Sequence, residues 1–152
     1  MPAYYLDSSA LVKCYVSETG SAWVRALCQG AGNAIFVSEL ALVEMGSAFA
    51  RRCFRREISD DERRNYLDVF IHDCAESYSL IPIERSTIER GLDLTQKYHL
   101  RGYDALQLAC ALAAHDVLTL ALLPGLTFVS ADDGLLSAAD SEGLLVENPN
   151  RH

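Results

Sequence analysis

The chain of 152 residues lacks the features that mark membrane and secreted proteins. Its mostly apolar run at 117–123 is too short to span a bilayer, and Pro124 and Gly125 follow it directly. The first residues do not have the pattern of a secretory signal peptide. We therefore expect a cytoplasmic protein with no membrane partner.

Metal-binding patterns of histidine and cysteine are also missing. The four histidines show neither H-x-x-x-H nor H-E-x-x-H spacing, so a zinc site is not expected. The five cysteines include no C-x-x-C pair, and their number is odd. Because each lies in or near an apolar helical pattern, we interpret them as small, reduced hydrophobic side chains.

Basic residues are scarce compared with acidic ones. Thirteen lysines and arginines against 21 aspartates and glutamates give a net charge of −8. Such a chain is not suited to broad, charge-driven binding of nucleic acid, unless a basic patch or a divalent cation reverses the field locally. An acidic surface would also suit a basic partner. The hydrophobic fraction of 50% is enough to bury the core of one compact domain.

Short apolar strands alternate with helical patterns along the chain. This alternation predicts an α/β fold in which helices cover both faces of the sheet. The pairs Ser59 with Glu62 and Ser86 with Glu89 have the spacing of capping boxes, and each predicts the start of a helix. The predicted strands are 3–6, 34–37, 78–83, 126–130 and 144–147, and the predicted helices include 9–16, 21–29, 39–54 and 86–98.

Two carboxylates directly follow predicted strands. Asp7 comes after the first strand, and Asp132 comes after the fourth with Asp133 as its neighbour. Ligands of open parallel sheets bind beyond the carboxyl ends of the strands, so we expect these acids at a functional site. Asp7 could also simply cap the helix that follows it. We favour Asp132 over Asp133 because it is nearer the strand end.

Two further carboxylates lie on predicted helices among uncharged residues. Glu44 is in the middle of the third helix, and Asp104 opens a long uncharged segment. A carboxylate on such a face is unfavourable to bury unless a cation or hydrogen-bond donors meet it. The alternatives are a surface glutamate and an aspartate that only complements the helix dipole.

The four acids suggest a shared metal site. Carboxylates gathered within a few ångströms repel one another unless a divalent cation holds them. An all-oxygen site that retains waters suits Mg²⁺ or Mn²⁺, and such ions can activate water for attack on phosphorus. We therefore hypothesise a catalytic metal site formed by Asp7, Glu44, Asp104 and Asp132.

The same residues lie in motifs that resemble those of the PIN-domain family, in particular the VapC-type toxin ribonucleases. The resemblance extends from about Ala3 to Pro149 and implies a single PIN-like domain over residues 1–152. The matching motifs, in the family's order, are Tyr-Leu-Asp7-Ser-Ser9-Ala-Leu-Val-Lys13, Val-Glu44, Tyr-Asp104-Ala-Leu-Gln-Leu-Ala-Cys-Ala and Phe-Val-Ser130-Ala-Asp132.

The resemblance implies a three-layer PIN-like domain with a central five-stranded parallel sheet flanked by helices. It implies an endoribonuclease dependent on Mg²⁺ or Mn²⁺, with Asp7 and Asp104 as central ligands. Glu44 and Asp132 would bind metal through water or orient the attacking water, with Ser9 and Ser130 in support. The family also implies an RNA substrate, a homodimer and a small antitoxin partner. Asp133 departs from the family pattern, which leaves two candidates for the fourth acid.

A path for RNA has its own candidates. Arginines cluster at the end of the Glu44 helix, and further cations lie close in sequence to two of the acids. Such residues could contact phosphates, although cations at a helix end also answer the helix dipole. The candidates are Lys13, Arg51, Arg52 and Arg101.

Two other functions compete with the ribonuclease. A haloacid-dehalogenase-like phosphatase also places an aspartate after its first strand. That chemistry usually needs a second aspartate two residues later, where this chain has Ser9. The other alternative is a non-catalytic interaction module with a PIN-like fold, which the presence of all four acids disfavours.

Overall fold

Five parallel strands form one sheet in the order β3-β2-β1-β4-β5. The computed structural model describes all residues of the chain, 1–152. The strands are β1 (Ala3–Leu6), β2 (Ala34–Ser38), β3 (Ser79–Ile81), β4 (Thr127–Val129) and β5 (Leu145–Glu147).

Seven α-helices connect the strands, and two short 3₁₀ helices accompany them. The 3₁₀ helices are Val12–Cys14, which continues the first α-helix, and Pro149–Arg151 near the C-terminus. The α-helices are α1 (Ser8–Leu11), α2 (Ser21–Gln29), α3 (Leu40–Phe54), α4 (Asp60–Glu76), α5 (Arg85–Lys97), α6 (Gly102–Leu120) and α7 (Asp133–Ser141).

Each face of the sheet buries its own hydrophobic core. Successive side chains of a strand point to opposite faces, so Tyr5 and Phe128 pack against α5, α6 and α7. Leu6 and Val129 pack on the other face against α1 to α4. The Tyr5 and Phe128 rings stack with their centroids 5.5 Å apart. The result is a three-layer arrangement of helices, sheet and helices, which confirms the predicted fold class.

The strand order reverses direction between β1 and β4. The chain first adds β2 and β3 on one side of β1, then crosses over to add β4 and β5 on the other side. The helices that follow β1 and β4 cover opposite faces of the sheet, and in open α/β sheets ligands bind at the carboxyl ends of strands where the order reverses in this way. Asp7 and Asp132 come after these two strand ends.

The predicted elements are present, and their ends differ from the predicted bounds by one or a few residues. Ser59 and Glu62 form the predicted capping box at the start of α4. The predicted box at Ser86 is wrong, because α5 begins at Arg85 and the Glu84 amide donates to Thr87 Oγ1 at 3.4 Å. The first helix begins one residue earlier than predicted and tightens into the 3₁₀ helix after Leu11.

The cysteines are free in the structure, in agreement with the sequence. Cys74 and Cys110 are buried, and the other three are partly buried. None of the helices combines the length and the apolar character that crossing a lipid bilayer requires.

Candidate active site

Asp7 is buried at the carboxyl end of β1, with 4% of the residue exposed. Its Oδ1 accepts hydrogen bonds from Ser9 Oγ at 2.7 Å and from the Ala10 amide at 3.0 Å. Its Oδ2 accepts a hydrogen bond from Ser130 Oγ at 2.6 Å. The contact with Ala10 makes Asp7 the N-cap of α1, so one carboxylate both caps a helix and joins β1 to the end of β4.

Burial raises the pKa of Asp7 from 3.8 to about 6. The hydrogen bonds from Ser130, Ser9 and the Ala10 amide favour the ionised form and oppose this rise, whereas the charge of Asp104 adds to it. Burial therefore makes the ionised form of Asp7 less stable than it would be in water. A cation bound beside it would stabilise the ionised form.

Glu44 reaches from α3 toward the start of α1 and the first turns of α6. Ser8 Oγ donates to its Oε2 at 2.6 Å, and Gln107 Nε2 donates to its Oε1 at 2.6 Å. Ser8 adjoins Asp7 in the chain, and Gln107 lies one helical turn after Asp104. Glu44 is thus a partly buried, hydrogen-bonded carboxylate near both of these acids, and it does not point to bulk solvent.

Asp104 lies in the first turn of α6 and lines the same cavity as Glu44. Partial burial raises the pKa of its carboxyl group, and the charges of Asp132 and Glu44 raise it further, while Arg101 opposes the rise. No protein group donates a hydrogen bond to this carboxylate. Both of its oxygens therefore remain available to a ligand or to water.

Asp132 and Asp133 have different surroundings although they are neighbours. Asp132 is the N-cap of α7, and its Oδ1 accepts from the amides of Gly134 at 2.9 Å and Leu135 at 3.2 Å. Asp133 Oδ1 accepts from Asn148 Nδ2 and from Arg151, each at 2.9 Å. The charge of Asp132 therefore raises the pKa of Asp104. The Asp133 carboxylate is instead hydrogen-bonded to residues near the C-terminus.

The charges of the four acids influence one another through Asp104, but the carboxylates do not form a preformed metal cluster. No three His, Cys, Asp or Glu side chains lie close enough together to hold one ion jointly. Their donor set nevertheless fits a hard cation, because it consists only of oxygens and retains free acceptor positions on Asp7, Asp104 and Asp132. Mg²⁺ keeps several waters when bound, and these can bridge to carboxylates that do not touch the ion.

A cavity of about 650 Å³ is lined by two of these acids, Glu44 and Asp104, and by three arginines. Of the three arginines, Arg52 is paired with Glu18 at 2.8 Å and Glu57 at 3.7 Å, whereas Arg51 and Arg101 form no ion pair. The lining residues that matter here are Ser8, Ser9, Glu44, Asp104, Arg51 and Arg101.

Lys13 does not lie on the surface of this cavity. It is buried, with 4% of the residue exposed. Its Nζ donates to Glu18 Oε1 at 3.1 Å and to the Thr19 carbonyl at 2.8 Å. The structure thus places Lys13 inside the fold and not on a path for RNA, because its ammonium group is engaged by Glu18 and the Thr19 carbonyl.

Two residues of the site escaped the sequence reasoning. Ser8 and Gln107 hold the Glu44 carboxylate from opposite sides. The available signal for Gln107 was a polar residue one turn after Asp104 in the otherwise apolar segment 105–114. Ser8 offered no signal of its own, because a serine at the start of a helix is common.

Comparison with known proteins places this arrangement in a family. A family model described as "PIN domain" matches residues 4–140 of the chain. The chain belongs to the PIN-domain family. This membership decides against the haloacid-dehalogenase-like phosphatase. Among known proteins, ribonuclease VapC45 of Mycobacterium tuberculosis (strain CDC 1551 / Oshkosh) is 32% identical over 152 residues, covering 96% of this chain and 95% of the relative.

Solved structures share the PIN-domain fold with this chain. VapBC2 from Rickettsia felis, solved with a DNA fragment from its promoter, has a TM-score of 0.66 at 15% identity and covers 96% of this chain and 98% of that chain. VapBC-5 from Mycobacterium tuberculosis, described as a member of the VapBC family of toxin-antitoxin systems, has a TM-score of 0.58 at 16% identity, covering 97% and 98%. At these identities the likeness is one of fold.

Proposed function

We propose that this PIN-domain chain is an endoribonuclease, the toxin of a toxin–antitoxin pair, that hydrolyses RNA phosphodiester bonds with the help of Mg²⁺ or Mn²⁺. The observation that carries the proposal is that Glu44 and Asp104 line one cavity, while Asp7 and Asp132 lie near enough to Asp104 for their charges to act on one another. The name of the relative VapC45, a ribonuclease, supports the reaction class.

The acids have distinct roles in this proposal. Asp7 and Asp104 are the central metal ligands, because the first is buried at the strand end and the second has no hydrogen-bond donor. Glu44 and Asp132 would support the ion indirectly or orient the attacking water. Ser9 and Ser130 fix the rotamer of Asp7 through their hydrogen bonds. When bound, the divalent ion would activate water and stabilise negative charge on the phosphate.

The reaction is a hydrolysis at phosphorus. A water oxygen forms a new bond to phosphorus, and the bond from phosphorus to one ribose oxygen breaks. Arg51 and Arg101 form no ion pair, so they can contact phosphates of the RNA. They supply the local positive field that a chain of net charge −8 otherwise lacks.

The proposal includes two protein partners. The VapBC structures pair a fold of this kind with a second protein, and we propose that a small antitoxin inhibits this chain. A basic segment of the antitoxin would suit the net negative charge of this chain. We also propose a homodimer, which sedimentation of the purified chain would test.

The decisive experiment is cleavage of structured and unstructured RNA by the purified protein with Mg²⁺, Mn²⁺ or a chelator. Asp7→Asn and Asp104→Asn should abolish cleavage, because each removes a central ligand charge. Asp93→Asn, a change at an exposed aspartate of α5, is the matched control and should cleave as the wild type does. Cleavage that persists in chelator or in Asp104→Asn would contradict the metal-site proposal.

A growth experiment tests the toxin role separately. Expression of the wild type should arrest bacterial growth, and expression of Asp104→Asn should not. If cells that contain active protein grow normally, the protein is not a toxin, and a role as a processing ribonuclease remains. Tight binding of another protein without any RNA cleavage would favour the non-catalytic interaction module.

A further inference from the structure

Gln107 links two buried or half-buried groups on different elements. Its Oε1 accepts a hydrogen bond from the Tyr5 hydroxyl at 2.5 Å, and its Nε2 donates to Glu44 Oε1 at 2.6 Å. Tyr5 is fully buried, and Gln107 is 2% exposed. An ionised carboxylate only accepts hydrogen bonds, so the amide nitrogen of Gln107 must face Glu44 and its oxygen must face Tyr5. The chemistry of the two neighbours thus sets the orientation of the amide.

These hydrogen bonds join β1, which precedes Asp7, to α6, which carries Asp104, and to α3, which carries Glu44. Tyr5 lies on β1 two residues before Asp7, and Gln107 lies on α6 one turn after Asp104. On its other side, Glu44 accepts from Ser8, which directly follows Asp7. The carboxylate of Glu44 is therefore clamped between a residue next to Asp7 and a residue one turn from Asp104.

We propose that Gln107, supported by Tyr5, is a positioning residue that holds the Glu44 carboxylate in the orientation needed at the metal site. This inference rests on the proposed function. A buried glutamine that only satisfied the Tyr5 hydroxyl would need one hydrogen bond, whereas Gln107 uses its second amide group on a cavity-lining carboxylate. Substitution of a residue that hydrogen-bonds a carboxylate of a metal site typically lowers metal affinity or activity by about 10- to 100-fold.

Substitution of Gln107 by methionine tests the proposal, because methionine has a similar length and no donor. We expect Gln107→Met to weaken Mn²⁺ binding in calorimetry by about 10- to 100-fold and to lower kcat for RNA cleavage by a similar factor. The KM for RNA should change by less than about twofold, because Gln107 does not contact the substrate. Tyr5→Phe keeps the Gln107 amide and should give a smaller effect in the same direction.

A double-mutant cycle separates positioning from a general structural role. If Gln107 acts through Glu44, then Gln107→Met should have no further effect on Mn²⁺ affinity once Glu44→Ala is present. Gln96→Met, at an exposed glutamine of α5, is the matched control and should behave as the wild type does. If Gln107→Met fails to fold, Tyr5→Phe in the Glu44→Ala background provides the same cycle.

The possible outcomes distinguish this inference from the proposed function. Wild-type affinity and activity in Gln107→Met, or a full additional loss in the Glu44→Ala background, would overturn the positioning role while leaving the ribonuclease intact. Coupling of Gln107 and Glu44 in Mn²⁺ affinity without any RNA cleavage would support the positioning role and reject the ribonuclease. A wild type that binds no Mn²⁺ would overturn both.

Discussion

Ser130 donates a hydrogen bond to the Asp7 carboxylate at 2.6 Å, although the two residues are 123 positions apart in the chain. The contact exists because β4 lies beside β1, with Leu6 in register with Val129. The Ser130 hydroxyl also accepts from the Asp132 amide at 3.0 Å. Ser130 thus connects Asp7, the acid after β1, with Asp132, the acid after β4. Ser130 and Asp7 lie at the centre of the proposed site.

The raised pKa of Asp7 predicts how stability depends on pH. Because the folded-state pKa of about 6 exceeds the usual 3.8, the contribution of Asp7 to the free energy of unfolding is fully present below pH 3.8. It is lost as the pH rises through 6, by roughly 3 kcal/mol in total. Denaturation of metal-free protein between pH 4 and 7 should show this loss, and Asp7→Asn should remove it.

The control for this pH series is Asp93→Asn, which should keep the wild-type dependence. Added Mg²⁺ should reduce the loss in the wild type, because an ion that binds the ionised Asp7 stabilises the folded state at high pH. Identical pH dependence in wild type and Asp7→Asn would show that Asp7 titrates normally.

The neighbours Asp132 and Asp133 should respond differently to the same substitution. Asp132→Asn should lower kcat for RNA cleavage by about 10- to 100-fold, because Asp132 contributes charge to the site. Folding should be preserved, since asparagine is also a good N-cap. Asp133→Asn should leave kcat within about twofold, because its partners are Asn148 and Arg151. The reverse ranking in cleavage kinetics would make Asp133 the fourth acid.

Arg51 and Arg101 should contribute to RNA affinity through phosphate contacts. Binding is best measured by fluorescence anisotropy in the non-cleaving Asp7→Asn background at several salt concentrations. Each of Arg51→Gln and Arg101→Gln should reduce the slope of log K against log salt by about 0.7, the value for a lost phosphate contact to a single strand. Arg85→Gln, at an exposed arginine on α5, should leave the slope unchanged. Unchanged slopes in both cavity variants would exclude this path for RNA.

The thiols of Cys14 and Cys28 are close enough to react with each other. Their sulfurs lie 3.0 Å apart, and the hydrogen bond with Cys14 lowers the pKa of Cys28. Oxidised glutathione should therefore accept two electrons and two hydrogens from the pair and leave an internal disulfide. Closing a loop of this length should stabilise the fold by about 3 kcal/mol.

Peptide mapping and thermal denaturation would check this prediction, with Cys14→Ser as the control that cannot form the bond. A glutathione adduct on Cys28 without an internal disulfide would contradict it.

Much of the fold was predictable because its signals are local. The capping box of Ser59 and Glu62 involves residues three apart, and its geometry appears in the structure as predicted. The box predicted at Ser86 failed because Glu84, in an extended conformation after Pro82, caps α5 two residues earlier. Propensity alone did not distinguish two possible caps within the same short segment.

The sequence by itself determined the succession of strands and helices along the chain and the presence of acids at two strand ends, because apolar periodicity and strand-end position are read from neighbouring residues. Only the tertiary structure decided that Ser130 holds Asp7, that Gln107 and Ser8 hold Glu44, and that Lys13 is buried against Glu18. The contact of Ser130 with Asp7 depends on the placement of β4 beside β1, and the contacts of Glu44 join α3 to α1 and to α6. No local pattern carries that information, because strand order is set by how the whole chain packs.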